Sequence, residues 1–378
     1  MARTVFKIAE VVARRLVGSI PTRSRQNLCL ARTNWNKMAL RLRFGAVYAV
    51  AAFVLLSGCN SYVPNTQWHS ASALDAPKQP SPPGATPPPS ALQRAWQSSE
   101  SSYKVSKGLL FVALPDAETP YNDVQVYDVR QRNPKPLAHI TNGVNQPETV
   151  CIDEKRTLYV VNALSFVSEY HLGSLSPFAI ITQGIDEPAS CAIDKNGNLW
   201  VTNVGGENVT EYLSGSSVPH KVITKGLPYP VGLAFDHAGN LYVSNNGQTT
   251  KNIQVFLPGR ATPSRTITDG VQWPVGIGVD ATGTLYVANL IPGNIAEYRS
   301  GANKPYHIIT QEMNGPVSLT FARGGWMYVS NQGEQGGGTG PAGVVLEFRP
   351  HSEMPSKKMI KNGLYVQEGV AIYPPEPL

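Results

Sequence analysis

Apolar and polar positions alternate in short runs along most of this chain. Residues 230–245 show the unit: an apolar run, Val231-Gly232-Leu233-Ala234-Phe235, a break through Asp236 and Gly239, then Leu241-Tyr242-Val243-Ser244-Asn245. That order predicts a buried strand, a tight turn at Ala238-Gly239-Asn240 and a second strand ending in Asn. The same phrase returns at Pro147, Pro188, Pro274 and Pro316, in steps of 41, 42, 44 and 42 residues. Its terminal residues, Asn162, Asn203, Asn245, Asn289 and Asn331, keep the same steps. Each copy continues into a third short strand, such as 252–256 or 295–298, and a fourth ending in Ile-Thr, such as 266–268. Nothing in these copies holds helical spacing for three turns.

A period in the low forties with four short strands per copy predicts an all-β ring, a β-propeller, each copy being one antiparallel blade. Five copies fill residues 147 to about 364. Ahead of them, residues 109–141 supply a second, third and fourth strand but no first. After them, residues 367–372 supply a first strand without a blade. The two remnants complete one another, which predicts six blades closed by the C-terminal strand, with no free edge at the seam.

Charge changes the picture only at the N-terminus. Residues 1–58 hold ten of the 32 Lys and Arg but one of the 26 Asp and Glu, so the remainder nets −3 and carries no nucleic-acid footprint. Lys37, Arg41 and Arg43 precede an apolar run, 44–56, too short to span a bilayer comfortably and ending at Leu56-Ser57-Gly58-Cys59. Residues 38–58 therefore read as a secretory signal. Its Leu-Ser-Gly-Cys ending resembles a bacterial lipobox, which implies a diacylated Cys59 as the mature N-terminus. Residues 1–37 lack a core-forming pattern and read as an upstream extension before a start at Met38; Val17-Gly18-Ser19-Ile20-Pro21 is what a transfer-RNA T-arm encodes in one frame. Residues 59–105 are rich in Pro, Ser and Ala and read as a tether without a fold of its own, leaving 106–378 for the propeller. Asn60 after the lipidated Cys resembles the default for the outer membrane of Gram-negative cells. The expected state is a monomer in the cell envelope.

Of the remaining cysteines, Cys29 lies in the extension. Cys151 and Cys191 sit four and three residues after their Pro, so strand alternation points them to opposite blade faces, which argues against a disulfide.

Candidate chemistry gathers where second-to-third-strand loops and first-strand entries open on one face. That face is predicted to carry the five Asn and the residues beside each Pro: Glu148, Glu187, Tyr229, Trp273 and Glu368. The Asn residues have two readings, turn-holding amides or a ring lining the funnel mouth for a ligand. Glu148 and Glu368 share one offset in adjacent blades and are candidate ligands for a divalent cation, or else solvated charges. No His pair has metal spacing, and neither a Gly-Xaa-Ser-Xaa-Gly elbow nor a phosphate loop occurs. The Gly-rich stretch 332–341 is a candidate flap over the same face.

The repeat, Pro-Val-Gly-Leu-Ala-Phe-Asp followed by Gly-Asn-Leu-Tyr-Val-Ser-Asn, resembles NHL-type propellers and, more broadly, the six-bladed regucalcin and gluconolactonase group. The NHL resemblance implies a non-catalytic module that binds an envelope protein, peptide or glycan without a cofactor. The lactonase resemblance implies a metal-dependent hydrolase or lyase holding one divalent cation by Glu, Asn and Asp. Glu368-Gly369 matches part of that family's Glu-Gly-Pro phrase, with Val370 in place of Pro, and Asp116 stands in an atypical loop. Four near-consensus blades favour the binding module, because an enzyme breaks the repeat at several funnel positions.

Overall fold

The computed structural model describes residues 108–115, 122–163, 165–333, 343–361, 364, 368–375 and 377. The expected upstream extension, signal, Cys59 and tether lie outside these residues, as do Asp116, Gln367 and most of the Gly-rich stretch.

Six four-stranded antiparallel sheets form the blades of a six-bladed propeller. Blades 2 to 6 each take four consecutive strands, beginning at Pro147, Pro188, Pro230, Pro274 and Pro316. In blade 1 the innermost strand is the C-terminal Val370–Tyr373, paired to Leu109–Pro115, then Asn122–Asp128 and Ala138–Ile140. The ring closes as the sequence predicts.

Strand alternation turns into six separate cores, one between each pair of neighbouring blades. Blade 2 shows how: Val150, Leu158 and Val160 pack against blade 1, while Tyr159, Val161 and Val167 pack against blade 3. Each sheet is covered on both faces, which is why its central strands read as almost continuous apolar runs.

That arrangement overturns the expectation about the cysteines. Cys151 and Cys191 form a disulfide, with Cα atoms 6.0 Å apart, joining the innermost strands of blades 2 and 3. The two residues do leave opposite faces of their own sheets. In a ring, however, the forward face of one blade meets the backward face of the next, so the offset of one residue brings them together.

A second feature recurs at the channel. In blades 2 to 6 the first strand pairs its Pro with the Asn ending the second strand, then slips register. The residue after each Pro is left off the ladder: Glu148, Ala189, Val231, Val275 and Val317. Such bulges redirect a side chain and add local twist. Their carbonyls point back to the preceding blade: Val231 O accepts from Thr202 Oγ1 at 2.7 Å, and Val275 O from Ser244 Oγ at 2.9 Å. Glu148 O accepts Gly369 N–H at 2.9 Å in the same way. The following position must then be small. A Cβ on Gly276 would lie 2.6 Å from Val317 O, and one on Gly369 would overlap the backbone and hydroxyl of Thr149.

Candidate functional site

The upper mouth of the channel, where the first strands begin, is built from those bulged positions. Ala189, Val231, Val275 and Val317 line four blades; Glu148 occupies the same place in blade 2 and Glu368 its counterpart in blade 1. The two carboxylates are thus neighbours in an otherwise apolar ring. Glu368 is fixed by two blades: its N–H donates to Ala113 O of blade 1 at 3.0 Å and Gln332 Nε2 of blade 6 donates to its Oε1 at 2.7 Å, while the nearby Val370 N–H reaches Ser318 Oγ of blade 6 at 3.3 Å. Glu148 accepts no side-chain hydrogen bond among the described residues. Both side chains keep some surface open to channel water and are otherwise walled by protein. Burial pushes the Glu148 carboxyl up to about 7. Burial, then the Glu148 charge, push Glu368 up to about 8, with the Gln332 amide opposing. The two titrate as one pair.

Aromatic residues stand at the lip. The Trp273 ring carries the Lys251 ammonium 4.2 Å from its centroid, and its backbone is held at φ 51°. Tyr229 is half-buried; burial raises its hydroxyl, and the charges of Glu187 and Glu148 raise it further.

The five Asn residues are placed differently. All are 0–1% exposed, and their carboxamides are committed to the chain itself. Asn162, Asn203, Asn289 and Asn331 each accept, through Oδ1, a backbone N–H seventeen residues earlier, from Asn145, Asp186, Gln272 and Asn314. Their Nδ2 groups donate to backbone or side-chain oxygens nearby, as Asn289 does to Gly270 O at 3.0 Å. The geometry gives them the turn-holding role, lashing each entry loop to the end of the second strand. Asn245 is the exception that explains the rule: seventeen residues earlier stands Pro228, which has no N–H, and Asn245 Oδ1 is left buried without a partner.

The lower mouth was not anticipated, although its signal is in the sequence. Asp153, Asp194, Asp236 and Asp280 each follow their Pro by six residues. Each accepts the backbone N–H four residues on and the ring hydroxyl or indole N–H six residues on, as Asp280 does from Thr284 and Tyr286. The pinned turns of Asp153 and Asp194 rim a cavity of about 360 Å³. Its floor is apolar, with Leu233, Phe235, Val279, Leu319 and Phe321. A second cavity of about 150 Å³ continues up the channel past Thr149, Ser190 and Ser318, and Cys151 lines both.

Among the described residues no group of three His, Cys, Asp or Glu side chains is placed to hold a metal ion. The upper mouth offers two carboxylates and the Gln332 amide, fewer than the six to eight oxygens of a calcium shell.

No family model matches the chain, and no curated protein does. Solved structures do match in fold. A protein of unknown function from Bacteroides caccae superposes with a TM-score of 0.55 at 12% identity, over 70% of this chain and 98% of that one. A chain of a nidogen/laminin complex gives 0.56 at 16% identity, over the same 70% and 98%. Likeness at these identities extends to the propeller architecture alone.

Proposed function

We propose that this chain is a binding module of the cell envelope, tethered to a membrane through a lipid on Cys59, whose upper channel mouth receives a protein, peptide or glycan. The observation that carries the reading is the composition of the bulged ring. Positions that would be interchangeable if they served only closure hold four apolar residues and two adjacent carboxylates, beneath an aromatic lip. Rigid first strands fix all six, so the mouth is pre-organised for a ligand. The Cys151–Cys191 disulfide supports the compartment, because such bonds persist where the surroundings are oxidising.

The test uses the anchored chain in its host cells. A photo-crosslinking residue replaces Tyr229 at the upper lip or, as a control, Glu154 on the lower rim. The reading expects adducts of discrete mass from position 229 and not from 154, and release of the chain from membranes by Cys59→Ala. Equal labelling at both rims would contradict the binding face, and unchanged fractionation of Cys59→Ala would contradict the anchor.

A further inference from the structure

Resting on the upper mouth as the binding face, we propose that its ligand presents a primary alkylammonium group, the end of a lysine side chain or of a free alkylamine. Four independent features of the mouth converge on that chemistry.

The first is shape and polarity within the ring. Ala189, Val231, Val275 and Val317 form an apolar arc, and Glu148 and Glu368 close it. An alkyl stem lies against such an arc while its charged end meets the carboxylates, the division of labour by which long cationic side chains bury their stems.

The second is charge without a counter-charge. The buried acids of the lower turns are each saturated by amides and hydroxyls of their own loops. Asp128 has Arg130, and Glu297 has Tyr306 and His307. Glu148 has no such partner among the described residues, and Glu368 has one neutral amide. Two carboxylates side by side in a walled channel are held apart in charge only by a proton, and an ammonium replaces that proton with profit to both.

Third, the lip already shows an ammonium in place. Lys251 sits over Trp273 and is steadied by Gly247 O and Gln248 O at 3.2 and 3.0 Å. Tyr229 stands at the equivalent position of the preceding blade with no hydrogen-bond partner for its hydroxyl among the described residues, leaving a second ring for a cation.

The last is a local excess of acceptors. Asn245 Oδ1 and Asn246 Oδ1 are both buried without a donor, and Asn246 N–H bonds Tyr229 O at 3.0 Å, so these unmatched dipoles lie at the Tyr229 side of the lip. Two buried, unmatched carbonyl dipoles make this side of the lip more negative, which favours a cation there over a neutral group.

Calorimetric titration of the full chain tests this with five probes: a short peptide with a central lysine, the same peptide with Nε-acetyl-lysine, n-pentylamine, 1-pentanol and calcium chloride. The proposal expects binding of the lysine peptide, of pentylamine, or of both, at least tenfold tighter than their neutral counterparts. Which of the two binds identifies the source of the ammonium. Glu148→Gln with Glu368→Gln should abolish that preference while leaving the melting temperature unchanged or higher, so loss of fold is not confused with loss of site. Equal binding of charged and neutral probes overturns the proposal, as does binding of calcium alone. Discrete adducts from position 229 without amine binding would leave the binding face standing and remove the ammonium from it.

Discussion

The two ends of the axial channel are made from the same repeat and differ in what the repeat leaves free. At the lower mouth the Asp that follows the Pro by six residues in blades 2 to 5 is consumed by its own turn, and the disulfide ties blades 2 and 3 just above. At the upper mouth the Asn is consumed likewise, but the bulged residue beside it has no partner on the ladder. Repetition therefore marks structural duty in this chain, and the places where the repeat changes side-chain type mark the candidate site. The Asp carboxylates of the lower mouth are occupied by turn hydrogen bonds, while the two carboxylates of the upper mouth have a single amide between them among the described residues.

The largest expected effect concerns the lower half. Replacing Cys151 and Cys191 by Ser opens a cross-link spanning 40 residues, for which loop entropy predicts a loss of about 4 kcal/mol. Urea denaturation of the variant, and of the natural chain in dithiol reductant, should show matching losses. An unchanged midpoint in both would mean that the bond does not constrain the ring.

Next comes a pair of glycine substitutions, one at each end of the channel. Gly369→Ala drives a methyl into Thr149 at the closing seam, where the obstacle is backbone, and should cost about 3 kcal/mol. Gly278→Ala, on the floor of the lower cavity, meets the ends of Leu319 and Phe321, which can turn into open space, and should cost about 1 kcal/mol. Differential scanning calorimetry orders the two. Equal costs would remove the steric reason for glycine at the seam.

Most of the ring was legible in the sequence because its signals are periodic. Paired Pro and Asn spacings located the blades, and the orphan strands at 109–141 and 367–372 predicted closure. Three things were not legible. The bulge is a slip of one residue in pairing, and pairing leaves no mark in a single strand's alternation. The disulfide was misjudged because alternation within one sheet was considered without the sheet facing it. The lower cavity was missed because its Asp residues looked like ordinary turn formers, which they are; the cavity comes from turns of neighbouring blades meeting around an axis. Glu148 and Glu368 were singled out by offset alone, and the structure adds that the offset is the bulge.

The central claim is that these two carboxyls form one buried pair in the upper ring, and the stability difference between the natural chain and the double Gln variant across pH tests it most directly. Both carboxyls have folded values above their ordinary one of 4.5, about 7 and about 8. Their contribution to stability is therefore full below pH 4.5 and is lost as pH rises through the folded values. Relative to the variant, the natural chain should weaken steadily from about pH 4.5 to about pH 8 and hold level above it. A difference that stays flat over this range would contradict the account, because carboxyls that ionise at their ordinary value do not share a walled site.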